Sequence, residues 1–372
     1  VSPSELKILH VSSAKTWRGG EQQIAYLVEE LNKQGVRQWI LCAKGSAMEA
    51  HCREEQIPFF TYPKRFSVNP AVGWRIRQLC LKNQVSLVHV HDSHSHTFAC
   101  LAATVFGIAV PVVLSRRVDF PIRKNVFSKW KYQHPAIRKI ICVSRFIKKI
   151  MEADIIAKER LAVAHSGIDL QGFSFQNTNI LHREFHLPKE IPIIANVAAI
   201  APHKDYFTFV NTVEILVQKG LQAKFLIIGG DGGEKTSIEN YIASKNLKQH
   251  ISICGFRTDI PRILPEIELL LFTSKMEGLG TSLLDAFACN VPVVATAAGG
   301  VPEVVKHGET GLLAPVKAPQ KLAHQVLTLL QNPSLKRKIC KQASVAVKNF
   351  SISKTAFKTM EIYKEVVEGG GR

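Results

Sequence analysis

LLLFTSKMEGLGTSLLDAFA, residues 269–288, decides how this chain is to be read. It opens on an unbroken apolar run, the pattern of a strand buried on both faces of a parallel sheet. It closes on a helical pattern starting near Thr281. Between them stand Glu277, Gly278, Leu279 and Gly280. A helix that Thr281 or Ser282 can cap does not need a Gly-Leu-Gly entrance, and a core has no use for a carboxylate at 277. Glycines let a ligand approach the backbone, and the first-turn N–H groups of a helix favour phosphate. A carboxylate just ahead of them suits hydroxyl groups. A sugar nucleotide carries both features. Ser282 with Asp285 also fits a capping box, with Asp in place of Glu; that reading leaves Glu277 and both glycines without a task.

The same grammar recurs along the chain. Apolar runs at 7–13, 39–45, 87–92, 110–115, 139–144 and 161–167, then at 191–200, 224–230, 251–256, 269–274, 292–296 and 311–314, are separated by longer helical patterns. Two such series in 372 residues predict two doubly wound α/β domains, 1–170 and 171–350, joined by a linker within 168–190. Ala356, Phe357, Met360, Tyr363, Val366 and Val367 form one helical stripe, so a final helix over 351–368 is expected to pack back on the first domain. Ligands of such sheets bind beyond the carboxyl ends of the strands, which places the expected site in a cleft between the domains.

Charge narrows the partners. The chain carries +18 overall, with 25 bases against 13 acids in 1–170. Residues 115–149 hold eleven bases and a single acid, Asp119. Such a field attracts anions: phosphorylated substrates, an acidic membrane face or nucleic acid. No aromatic interleaving or nucleic-acid module accompanies it, so nucleic acid is set aside. The eight cysteines form no C-x-x-C pair, which suits reduced thiols in a cytoplasm. The uncharged run from Ser93 is divided by Gly107 and Pro111, predicting a packed helix and a strand with no membrane span.

SKMEGLGTSLLDAFACNVPVVATAAGGVPEVVKHGETGLLAPV, residues 274–316, resembles the donor-binding signature of the family 4 retaining glycosyltransferases, and the likeness runs from SSAKTWRGGEQQIAYLVEEL at 12–31 to the final helix. The resemblance implies a GT-B fold, two parallel-sheet domains facing across a cleft. It also implies metal-independent transfer of a hexose, with retention, from a nucleotide-sugar donor to a glycan or glycolipid acceptor, with no cofactor. By the same resemblance Glu277 contacts the transferred sugar. Asp285, where the family has Glu, holds the ribose. Gly278, Leu279, Gly280, Thr281 and Ser282 cradle the diphosphate. Lys204, in HKD at 203–205, neutralises the diphosphate; the family's arginine five residues earlier is Ala199 here, and Arg257, Arg116 or Arg117 are candidates to replace it. Gly230 and Asp231 match a G-D-G element, and Gly255, Phe256 and Arg257 match the nucleobase position, with Phe256 equally readable as core.

In the first domain, Gly19 and Gly20 resemble the family's N-terminal glycine loop. HVHDSHSH at 89–96 invites a metal reading, but neither a second cluster nor a D-x-D pair supports it. The resemblance instead implies that His91 and Asp92 lie near the reacting sugar or acceptor, with His94 and His96 in reserve. Arg116 and Arg117 stand where the family often has a histidine; they suggest an acceptor bearing negative charge or an added cation for the diphosphate. The expected acceptor is a lipid-linked glycan, lipopolysaccharide or polysaccharide, and the expected place is the cytoplasm, peripheral on the inner membrane's cytoplasmic face. A nucleotide-sugar epimerase and a non-catalytic sugar-nucleotide or anionic-glycan binder are the rival readings.

Overall fold

The structure is a computed structural model and describes residues 2–64, 66, 68–173 and 179–369. The chain divides into two units, Val1–Gly167 with Ile352–Arg372, and Ile168–Ser351.

Unit 1 holds β1 (Lys7–Val11), β2 (Arg37–Ala43), β3 (Phe59–Tyr62), β4 (Leu87–Val90), β5 (Val112–Arg116), β6 (Ile137–Cys142) and β7 (Leu161–Val163). Unit 2 holds β8 (Ile193–Val197), β9 (Lys224–Ile228), β10 (Ile251–Gly255), β11 (Leu269–Phe272), β12 (Val293–Thr296) and β13 (Leu312–Ala314). The sheets run β3-β2-β1-β4-β5-β6-β7 and β10-β9-β8-β11-β12-β13. The strand pairs are parallel throughout. In both, the chain builds outward from the first strand, then returns to build on its other side. The order therefore reverses between β1 and β4 in unit 1 and between β8 and β11 in unit 2, where open α/β sheets leave a crevice for a ligand. Only β3 escapes the sequence reading. Its side chains are mostly half-buried at the sheet edge, so it lacks the continuous burial of central strands such as β4, β5 and β11.

Each sheet is covered on both faces, which is why its strands read as apolar without alternation. On one face of unit 1, Leu9, Val11, Val88, Val90, Val112 and Leu114 join one core. On the other, Ile8, Leu87 and Val113 pack with Ala356, Met360, Tyr363 and Val366 of the C-terminal helix Ile352–Gly369. Fully buried side chains of this kind contribute about 1.5–3 kcal/mol each, so this helix is part of unit 1's core. Phe357, expected on the buried stripe, is 64% exposed. The uncharged run after Ser93 forms the helix Ser93–Thr104 and then β5. No helix among the described residues is long and apolar enough to cross a membrane.

Candidate active site

In unit 2, β8 and β11 are neighbours, so the loops leaving their C-terminal ends meet. The loop after β8 carries Lys204 and the loop after β11 carries Glu277. Lys204 Nζ donates to Glu277 Oε2, joining residues 73 apart in sequence. Both side chains are 14% exposed. Ser274 Oγ adds a hydrogen bond to the same carboxylate at 3.3 Å. Main-chain contacts fix the pair: Lys275 N donates to His203 O at 2.9 Å, and Thr273 Oγ1 donates to Lys204 O at 3.1 Å.

The loop between Glu277 and the helix Thr281–Ala288 is buried at Gly278, Leu279 and Gly280. Gly280 is the N-cap with φ 87°, so neither Thr281 nor Ser282 caps the helix and no Ser282–Asp285 capping box forms. Leu279 corrects its own expectation as a ligand contact: it is 2% exposed and its side chain anchors the loop in the core. Thr281 and Ser282 are half-buried at the first helical turn.

Gly299 and Gly300, two residues that the sequence reading left without a task, shape this loop from below. Gly300 N donates to Glu277 O at 2.9 Å. A Cβ on Gly299 would collide with the Glu277 carbonyl, and one on Gly300 with the Gly278 carbonyl. Their signal in the sequence is a glycine pair two residues past a strand. The G-D-G element has a similar explanation. Gly229 and Gly232 let the loop after β9 lie on the backbone of Ala198–Ala201, where a Cβ would clash. Gly230 is open except for Phe256, and the Asp231 carboxylate accepts from Gly233 N at 2.7 Å, closing its own turn.

Phe256 is 63% exposed, which removes the core reading. Gly255 before it takes φ +73°. Arg257 corrects the expectation that it contacts the donor or replaces the arginine missing at Ala199. Its Nη1 donates to Glu184 at 2.7 Å and its Nε and Nη2 to Asp259 at 2.8 and 2.7 Å. The Asp259 and Glu184 hydrogen bonds raise its pKa further, leaving a cation already neutralised twice. Asp285 is half-buried, and burial lifts its carboxyl to about 7. A 660 Å³ concavity of unit 2, lined by Pro265, Glu268, Pro292, Lys336 and neighbours, lies at the N-terminal ends of β11 and β12, away from these groups.

In unit 1 the residues singled out by sequence separate into two kinds. Asp92 is a helix N-cap: it accepts from Ser13 Oγ and Ser13 N at 2.6 Å, His94 N at 2.9 Å and Ser95 N at 3.0 Å. A carboxylate so fully engaged builds the turn, which corrects its expected role toward an acceptor. Arg116 is likewise structural. It is 6% exposed, donating to Tyr132 OH at 2.7 Å and to the Phe120 carbonyl. His96 bonds Lys131 O at 3.0 Å inside the fold, while His94 is exposed enough to keep contact with solvent.

Arg117, one residue on, faces the other side of the sheet. Burial lowers its pKa to about 10, with Glu21, Tyr363 and Asp92 opposing, so it remains a cation at neutral pH. Gly19 and Gly20 open the helix Gly19–Lys33, and a Cβ on Gly20 would lie 3.8 Å from Arg117 Cδ.

His91 belongs to a buried network absent from any local motif. His10, His89 and His91 bring ring nitrogens within 4.8 Å of one another, a spacing compatible with a metal ion. Their bonds describe a hydrogen-bond relay instead. Gln38 Nε2 donates to Val28 O at 2.9 Å and Asn32 Oδ1 at 3.1 Å, so its Oε1 accepts from His10 Nε2 at 3.0 Å. Burial pushes His10 down to about 4, keeping the ring neutral and its Nδ1 an acceptor. His91 Nε2, at 3.0 Å, therefore carries the proton between them. Burial above all pushes His91 well down, and the neighbouring Arg117 cation acts in the same direction, so it too is neutral and its Nδ1 is a bare lone pair. His89 is held by Tyr363 OH at 2.5 Å and Ser115 Oγ at 2.8 Å.

Two α/β units, each with its chemistry at the reversal of strand order, are the GT-B arrangement. Residues 17–171 match the family described as Glycosyltransferase Family 4, and residues 177–345 match Glycosyl transferases group 1. The chain belongs to the glycosyltransferases of this group 1/family 4 type, and it is an enzyme of the transferase class. It is 23% identical over 302 residues to the UDP-Gal:alpha-D-GlcNAc-diphosphoundecaprenol alpha-1,3-galactosyltransferase of Escherichia coli, covering 78% of each chain. Its fold is similar to that of a glycosyltransferase from Rickettsia africae, with a TM-score of 0.83, 22% identity and coverage of 98% and 99% of the two chains. It is also similar to Anabaena HepE in complex with UDP and glucose, with a TM-score of 0.84, 18% identity and coverage of 97% and 100%.

Proposed function

We propose that this glycosyltransferase moves a hexose from a nucleotide diphosphate sugar to an acceptor hydroxyl with retention of anomeric configuration, without a metal ion. The observation that carries this reading is the Lys204–Glu277 pair beside a helix whose first turn, at Thr281 and Ser282, is half-buried and still reachable. A diphosphate entering there takes over the Lys204 ammonium and the N–H groups at Thr281 and Ser282. Glu277, released from Lys204, accepts hydrogen bonds from hydroxyls of the sugar. Exposed Phe256, next to open Gly230, offers a ring on which the nucleobase stacks. As the sugar–phosphate bond breaks, charge grows on the leaving diphosphate, where Lys204 and the helix start stabilise it more strongly than in the ground state. The acceptor hydroxyl attacks from the same face, and the leaving phosphate takes its proton. Asp285, raised to about 7, is the residue through which ribose contact would be sensitive to pH.

The acceptor is assigned to the polar edge of unit 1, and a lipid-linked glycan, lipopolysaccharide or polysaccharide fits the surface around it. The loop leaving β5 and the following helix Val126–Gln133 expose Val118, Phe120, Val126 and Phe127 among Arg123, Lys124 and Lys129. Apolar side chains interleaved with cations suit an anionic bilayer, each cation near it contributing about 1 kcal/mol. The enzyme would then work at the cytoplasmic membrane face; flotation with anionic but not neutral vesicles is the expected result.

The deciding experiment is a thermal-shift screen against nucleoside diphosphates and their sugars, followed by NMR of the product anomer. One nucleotide series should raise Tm, and the product should keep the donor's anomeric configuration. Inversion, or donor conversion without an acceptor, would overturn the reading.

A further inference from the structure

Among the described residues of unit 1, His96 Nδ1 and Arg116 Nε are buried without a partner on side chains otherwise bonded inside the fold, and three more side chains bury unpartnered atoms at strand ends: Ser12 Oγ, His91 Nδ1, and Nε and Nη1 of Arg117. Ser12, His91 and Arg117 are each the first residue after a strand, namely β1, β4 and β5, and these strands are consecutive in the sheet. Val11 stands opposite Val90 and Val90 opposite Leu114. Continuing that register sets Ser12, His91 and Ser115 side by side on one face, about 4.8 Å per strand. Arg117, two residues beyond Ser115, returns to the same face, where Glu21 and Tyr363 act on its charge and Gly20 leaves room beside its stem. Buried polar atoms are nearly always satisfied, so three unsatisfied groups at one sheet edge point to something that completes them.

Their chemistry is complementary. Arg117 offers two N–H donors, which match an oxyanion. His91 Nδ1 offers a lone pair, held in that state by the Gln38–His10 relay, and takes a hydroxyl proton. Ser12 Oγ both donates and accepts. We propose that Ser12, His91 and Arg117 form one subsite for a ligand carrying an oxyanion next to a free hydroxyl, with Gln38 and His10 as the residues that position the His91 ring. The inference rests on the transfer reading only for its source of ligand: the oxyanion belongs to a phosphorylated or carboxylated acceptor, or to the donor's diphosphate.

The test uses the full chain labelled with ¹⁵N-histidine. His91 Nδ1 is expected as an unprotonated nitrogen, and Gln38→Glu is expected to disturb that signal from across the relay. Glycerol 3-phosphate, which joins an oxyanion to hydroxyls, should move the His91 Nδ1 resonance, and Arg117→Met should abolish the response while leaving Tm equal or higher. Ser12→Ala should weaken glycerol 3-phosphate binding about tenfold. A response to UDP alone supports the same subsite and assigns its oxyanion to the donor. Silence of His91 toward both probes overturns the proposal, as does a protonated Nδ1 in the wild type. So does an Arg117→Met variant that loses stability yet keeps the probe response, because Arg117 is then structural. UDP affinity measured by calorimetry on the same samples separates the two readings: intact UDP binding with a silent His91 sinks the subsite alone.

Discussion

The two sheets reverse strand order at equivalent places, yet Lys204 and Glu277 beside one reversal are paired with each other, while Arg117 and His91 beside the other keep unpartnered nitrogens. In unit 2, Lys204 and Glu277 satisfy each other, so a ligand must exchange into an existing ion pair. In unit 1, Arg117, His91 and Ser12 bury polar atoms without partners. The difference teaches that a charged group at a sheet edge has two ways to persist. A matched pair is stable in the absence of ligand, and under the proposed function it yields its charges to the donor's diphosphate. An unmatched group lowers the stability of the empty protein and is tolerated where binding returns the loss.

Breaking the closed pair should have the largest effect. Glu277→Gln keeps the shape but removes the charge, and kcat is expected to fall about 10²–10³-fold with Tm little changed. Steady-state kinetics with the donor found by screening checks this; near-normal turnover would remove Glu277 from the chemistry. Gly299→Ala should cost unit 2 about 2–4 kcal/mol, because the added methyl meets the Glu277 carbonyl and the backbone there has φ +53°. All four tryptophans, Trp17, Trp39, Trp74 and Trp130, lie in unit 1. The loss should therefore appear in the circular dichroism midpoint and not in tryptophan fluorescence.

The units should also respond to pH in opposite directions. His10 falls from 6.5 to about 4 on folding. Between those values the unfolded chain binds the proton and the native state does not, so unit 1 loses stability as pH drops from 6.5 toward 4. Tryptophan fluorescence in a urea series should show it. Asp285 rises from 3.8 to about 7. There the native state keeps the proton that the unfolded chain has released, so stability falls as pH rises through that window. Asp285→Asn should be more stable than wild type at pH 7 and equal to it at pH 4. The smallest effect is expected from Arg257→Met: at most about 1 kcal/mol, as for other surface ion pairs, with donor KM within about twofold. A large rise in KM would show that Arg257 does supply the missing cation.

Much of the unit 2 edge around Glu277 was legible in the sequence because strand, glycine turn and helix are contiguous there. Glu277, Gly280 and Thr281 follow β11 directly, and Lys204 follows β8. What was not legible was how their neighbours are employed. Leu279, Asp92 and Arg257 occupy motif positions, but a buried side chain, a helix cap and a double ion pair engage them. Arg116 and Arg117 looked interchangeable, yet successive strand residues point to opposite faces, so one braces Tyr132 and the other approaches Gly20. Gln38, His10 and Ser12 carried no signal at all, since each is a single polar residue in or beside an apolar run.

The sequence by itself determined the two parallel sheets and the helix entrance after β11. These rest on local pattern: burial on both faces excludes alternation, and a helix entrance with positive φ at Gly280 needs glycine. Only the tertiary structure decided which polar groups meet. Lys204 reaches Glu277, and His10 reaches His91 while Tyr363 covers His89, because strand order places distant segments side by side. Hydrogen bonds and ion pairs act over a few ångströms, and that proximity is set by packing, not by spacing along the chain.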